Sequence, residues 1–169
     1  MTLSRSNDRN SSKDFELIAG GPVDETSITL AIYGEDLVPE DISHLLCCQA
    51  TCHIRRGELR TPRSTPYQQS AWFFEQEGQA PCTAEDIIKK ILSNVSTDSA
   101  LWQALSSRYE VQLRIAIHME NWNKGFDLSA EMIQTIARLG AKMVFDIYAY
   151  VDDEVNDALD NLLTKTVEK

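Results

Sequence analysis

The sequence lacks most of the features that would mark a membrane protein or an enzyme. Across its 169 residues no apolar run approaches the roughly 20 that a bilayer-spanning helix needs, so no membrane partner is expected. The opening stretch, MTLSRSNDRNSSKD, has no apolar h-region, which makes the cytoplasm the expected compartment. There is no glycine-rich phosphate loop, no G-x-S-x-G elbow and no H-E-x-x-H pair. Histidine is limited to His44, His53 and His118. Cys52 beside His53 is no dyad, because neighbours on a strand point to opposite faces. Neither catalysis nor a cofactor is therefore expected. Lys and Arg are also scarce, 16 against 26 Asp and Glu, giving a net charge of −10 and a pI near 4.7. That balance argues against nucleic acid, whose phosphates require a surplus of cations.

What is present suffices for one folded domain. The hydrophobic fraction of 43% is too high for a disordered acidic chain. Four cysteines, Cys47, Cys48, Cys52 and Cys82, are expected to be reduced thiols. The run His44-x-x-Cys47-Cys48-x-x-x-Cys52-His53 holds enough ligands for zinc, but zinc sites normally join two separated ligand pairs and the second is missing. No metal is expected, and these thiols read as small buried hydrophobes.

Residues 1–14 are Ser-, Asn-, Asp- and Arg-rich, and 1–22 read as a mobile tail ending at Gly20-Gly21-Pro22. Ser27 to Tyr33 alternates, with Ile28, Leu30 and Ile32 on one face, which predicts a half-buried strand. Pro39 followed by Glu40 and Asp41 suits a helix start, with Ile42, Leu45 and Leu46 turned inward. A strand is predicted within 51–60 and another over Ala71 to Glu75. Thr83 opens a helix whose apolar stripe is Ile87, Ile88, Ile91, Leu92 and Val95, and Asp98 opens a second with Leu101, Trp102 and Leu105. Tyr109 to Met119 is the clearest strand, its odd positions apolar and Glu110, Gln112, Arg114 and His118 opposite. Ser129 caps a helix carrying Met132, Ile133 and Ile136, and Gly140 ends it. Lys142 to Tyr150 is a last strand with Met143, Phe145, Ile147 and Ala149 inward. Val151, Val155, Ala158, Leu159, Leu162 and Leu163 then form the seam of a C-terminal amphipathic helix.

This order predicts a single α+β domain over 23–151, flanked by the tail and by an acidic helix over 152–169 packed on it. Half-polar strands suggest a ferredoxin-like sandwich, a mostly antiparallel sheet with helices on one face and the other open. The segment Ile28-Thr29-Leu30-Ala31-Ile32-Tyr33-Gly34-Glu35-Asp36-Leu37-x-Pro39 resembles the opening of a bacterial family, domain-of-unknown-function family 4279. Arg56-Gly57-Glu58, Ala71-Trp72, Leu128-Ser129-Ala130-Glu131, Leu139-Gly140-Ala141 and Asp146-Ile147-Tyr148 resemble its later landmarks. The resemblance spans about 27–150 and implies the fold, with no established chemistry attached.

Charge carries the functional expectation. Between Lys13 and Arg55 there is no Lys or Arg, while Asp14, Glu16, Asp24, Glu25, Glu35, Asp36, Glu40 and Asp41 lie there. A negative field of this kind steers a basic partner, and tight binding also needs aromatic anchors. The expected partner-binding residues are Glu35, Asp36, Glu40 and Asp41 of the first loop and helix. Trp122, Tyr148 and Tyr150 join them as anchors, and Asp152, Asp153, Glu154 and Asp157 on the last helix. The expected function is that of a small protein-binding module, an immunity protein that neutralises a basic toxin, acting as monomer or homodimer. The alternative is a regulatory or ligand-binding domain whose open sheet face presents Tyr33, Arg114, His118, Asp146 and Tyr148.

Overall fold

The computed structural model describes residues 25–79, 81–119 and 125–149. The expected tail over 1–22 and the expected helix over 152–169 lie outside them. The elements run β1 (Glu25–Gly34), α1 (Pro39–Leu46), β2 (Cys52–Ile54), β3 (Ser70–Gln79), α2 (Ala84–Asn94), α3 (Ser99–Arg108), β4 (Glu110–Met119), α4 (Ala130–Arg138) and β5 (Lys142–Ala149). The strands form one mixed sheet in the order β2-β3-β1-β4-β5. Every pairing is antiparallel except β4 with β5, which is parallel because α4 carries the chain back across.

Side chains decide which face is buried. In register, Leu30 lies between Phe74 and Leu113, and Ile32 between Trp72 and Val111. These join Ile42 and Leu46 of α1, Ile87, Ile88 and Ile91 of α2, Trp102 and Leu105 of α3 and Met132 and Ile136 of α4 in one core. All four helices therefore cover the same face of the sheet. The two core tryptophans are also hydrogen-bonded, as buried indoles must be. Trp72 Nε1 donates to Ser43 Oγ at 2.9 Å, tying α1 to β3, and Trp102 Nε1 donates to the Ser96 carbonyl at 2.7 Å.

The helix ends follow their local chemistry. Thr83 and Asp86 make a reciprocal capping box at α2, and Asp98 and Ser129 accept the free amides of α3 and α4. Gly140 leaves α4 at φ 66°, with Ser106 so close that a side chain would collide.

Several expectations are corrected. Leu45 and Ile133 are exposed, and Phe145 and Ile147, which do point to the helix-covered side, are exposed as well. Leu45 is the penultimate residue of α1, Ile133 flanks the buried Met132–Ile136 stripe of α4, and the other two lie on an edge strand that no described element covers. The strand expected within 51–60 shrinks to Cys52–Ile54, while β3 extends to Gln79. The thiols are not buried either. Cys47, Cys52 and Cys82 are exposed and Cys48 is half-buried, and partial burial raises the Cys48 pKa above the ordinary thiol value. Cys47 ends α1 in the left-handed conformation usually taken by glycine, which swings it outward.

Candidate functional site

The face of the sheet turned away from the helices is where the sequence leaves chemistry unexplained. Alternation along β1, β3, β4 and β5 places Ser27, Thr29, Ala31 and Tyr33, Phe73, Glu75 and Glu77, Arg114 and His118, and Asp146 and Tyr148 on it. Its centre is closed rather than bare. Tyr33 meets Phe73 edge to face with ring centroids 5.6 Å apart, and Ala31, paired with Phe73, is fully buried. Arg114 Nη2 donates to Asp146 Oδ2 at 2.9 Å between β4 and β5. Partial burial opposes the Arg114 charge, but the neighbouring Tyr33 and Asp146 outweigh it, and the guanidinium is held above its ordinary pKa. His118 and Tyr148 stack with ring centroids 4.7 Å apart and planes 6° from parallel. Tyr148 is nevertheless 54% exposed.

Beside these groups runs an anionic strip. Glu75 accepts hydrogen bonds from Ser27 Oγ at 2.6 Å and Thr29 Oγ1 at 3.5 Å. Glu77 and Glu25 continue the strip along β3 and β1, with Ser27 opposite Glu77 and Glu25 opposite His118. Among the described residues no Lys or Arg lies within ion-pair distance of these three carboxylates.

The acidic first loop is built differently. Arg56 Nη1 meets Glu35 at 3.0 Å, Arg108 Nη2 meets Asp36 at 2.5 Å, and Arg55 pairs with Glu40. The Arg108 hydrogen bond holds the Asp36 carboxyl below its ordinary pKa. Of the four acids expected to bind a partner there, Asp41 alone has no cation against it among the described residues. Trp122, Tyr150, Asp152, Asp153, Glu154 and Asp157 lie outside those residues. Tyr148 is the one expected anchor placed on the open face.

The structure thus brings together Tyr33, Arg114, His118, Asp146 and Tyr148, the set expected for an open-face site. His118 meets Tyr148, and Asp146 meets Arg114. Phe73, Glu75 and Glu77 were not singled out from sequence, and Glu25 was counted only within the acidic stretch before Arg55. The signal available was the alternation within β3, where Phe73 and Glu75 already fall inside the expected strand and Glu77 becomes legible only once that strand is known to continue past Glu75.

Two concavities lie elsewhere. One of about 380 Å³ separates α2 from α4, beside Glu85, Lys89, Leu92, Ser129, Met132 and Thr135. There the Ser129 backbone N–H and Lys89 hold the Glu85 carboxyl below its ordinary pKa. The other, about 270 Å³, lies between Pro39, Ser43, His44 and His53. Among the described residues no three of His, Cys, Asp and Glu are grouped to hold a metal ion. No described helix is long and apolar enough to cross a membrane.

A family model, "Domain of unknown function (DUF4279)", matches residues 24–150. Comparison with curated proteins and with solved structures finds no match.

Proposed function

We propose, from the premise that this chain belongs to the DUF4279 family, that it is a non-catalytic protein-binding module whose open sheet face receives a basic protein. One observation carries the reading: three carboxylates without cation partners among the described residues lie beside the exposed rings of His118 and Tyr148 on the open face of the sheet. An open sheet face suits a macromolecule better than a small molecule, which needs concave walls to bury most of its surface. The long-range attraction of the anionic strip accelerates encounter with a cationic partner, and the rings supply the short-range contact that acidic groups alone do not. The net charge of −10 adds to that field. The Arg114–Asp146 pair, already satisfied within the face, fixes the side chains around it before a partner arrives.

The finer reading is an immunity protein whose partner is a toxin with a basic active-site cleft, in a bacterial cytoplasm. Size, charge and the absence of a recognisable catalytic motif support it by analogy. We also infer that β1 to β4 follow the ferredoxin-like plan, since their order β2-β3-β1-β4 is antiparallel throughout. On that plan β5 is an added strand and the chain after it an added helix.

The test is affinity capture on the immobilised full chain, in parallel with a Glu75→Gln/Glu77→Gln variant. The reading expects a basic protein that the wild type retains, that salt releases, and that the variant fails to hold. Co-expression of that protein with this chain should then protect cells it otherwise kills. A partner held equally by both forms, or a co-purifying small molecule in place of a protein, would overturn the proposal.

A further inference from the structure

The two edges of the sheet are unlike. At one edge β2 is three residues long, too short to template another strand. At the other, β5 runs for eight residues, Lys142–Ala149, contains neither Pro nor Gly, and pairs only with β4 among the described residues. Phe145 is 47% exposed and Ile147 62% exposed on the side facing the helices. Phe126, its ring centroid 5.9 Å from that of Phe145, leaves the ring half in water. Native sheets normally blunt such an edge with inward-pointing charge, proline or a bulge. The two charges of β5 do neither job, because Lys142 and Asp146 lie on the open face and lean on Glu110 at 3.7 Å and Arg114 at 2.9 Å.

We propose that β5 is the interface between two copies of this chain, paired antiparallel about a two-fold axis at Phe145 to give a continuous ten-stranded sheet. The pleat restricts the register to residue-centred pairings. A two-fold axis normal to the sheet keeps both sets of helices on one side, so opposed residues must share a face and the axis must fall on a residue. Centred on Phe145, Met143 of one copy opposes Ile147 of the other and the two Phe145 rings adjoin, which takes the exposed apolar groups out of water together. On the open face Lys142 opposes the Tyr148 ring, an attractive cation–π arrangement. Centred on Asp146, the two carboxylates would face each other, which opposes pairing. The competing occupant of this edge is the chain's own residues 150–169, with the apolar positions Val151, Val155, Leu159 and Leu162. The self-complementary register favours the second copy. The inference does not rest on the proposed partner, because the interface side chains lie mainly on the helix-covered face.

Sedimentation of the full chain across the micromolar range tests it. The wild type should have twice the chain mass of 19.1 kDa. Phe145→Lys and Phe145→Glu should each sediment as monomers with unchanged far-ultraviolet circular dichroism. An equimolar mixture of the two should recover the dimer, because position 145 meets itself at the axis. Ile147→Lys should also be monomeric, while Glu75→Gln/Glu77→Gln should leave the dimer intact. A monomeric wild type would assign the edge to residues 150–169 or to solvent and overturn the proposal. So would a dimer that survives Phe145→Lys, or charged variants that fail to associate when mixed.

Discussion

The two faces of this sheet are made from the same strands, residue by alternate residue, and they obey different rules. On the helix-covered face Ile28, Leu30, Ile32, Trp72, Leu113 and Ile115 are excluded from water, and each is there because burial stabilises the fold. On the open face Arg114, Asp146, His118 and Tyr148 stay partly wet and are held by directional contacts. The fold would keep its core if most open-face residues were replaced by others of similar size. The difference separates what folds the molecule from what it presents to a partner, and substitutions can be chosen to break one without the other.

The largest effects belong to the covered face. Leu113→Ala, at the centre of β4, should lower unfolding free energy by about 3 kcal/mol, through lost transfer energy and the cavity left behind. Denaturant titration reads this directly, and the fraction that stays folded should bind a partner unchanged. Trp72→Phe should cost roughly 1–3 kcal/mol, since it leaves the buried Ser43 hydroxyl without the indole bond. If Trp72→Phe proves neutral, the tie between α1 and β3 is not what holds that corner.

Next comes the open face, where stability and binding should part company. Glu75→Gln/Glu77→Gln should change stability by no more than about 0.5 kcal/mol, because these groups are at the surface and glutamine keeps an acceptor for Ser27. The same variant should weaken partner binding and flatten its dependence on salt, measured by titration at two ionic strengths. A matched loss of stability and binding would mean that the strip is structural.

Much of this architecture is legible in the chain. The period of two in β1 and β4 is unbroken, and the caps Thr83, Asp98 and Ser129 and the stop at Gly140 mark helix ends through chemistry local to a few residues. The exposures of Phe145 and Ile147 are hidden, because an inward-pointing apolar residue on an edge strand and one in a central strand have the same local pattern. The short β2 is hidden for a related reason, its length being set by its contact with β3. The open-face site is half legible. Its five residues follow from alternation, but the pairing of Arg114 with Asp146 and of His118 with Tyr148 is set by a strand placed alongside by a parallel crossover. The least visible feature is the pairing of the acidic loop. Arg108 reaches Asp36 across 72 positions of sequence, and the charge map of a linear chain cannot contain that contact.

That pairing gives the smallest expected effect and the finest test of the contrast between acids that bind cations at home and acids left for a partner. Glu35→Gln and Glu40→Gln should each cost less than about 1 kcal/mol, since exposed ion pairs exchange solvation for a weak, screened attraction. They should weaken partner binding far less than the Glu75/Glu77 variant does, because Arg56 and Arg55 already offset their charge. Asp36 adds a dependence on pH. Its folded pKa is depressed below the ordinary 3.8 by the Arg108 hydrogen bond, so the unfolded chain takes up a proton first as acid is added. The stabilisation from this pair is therefore complete at neutral pH and fades as pH falls through and below that value. Asp36→Asn should flatten the acid limb of a plot of stability against pH while leaving the binding curve at neutral pH almost unmoved. If Asp36→Asn instead weakened the complex as much as loss of Glu75 and Glu77, the first loop would belong to the interface and the separation between the two acidic regions would fail.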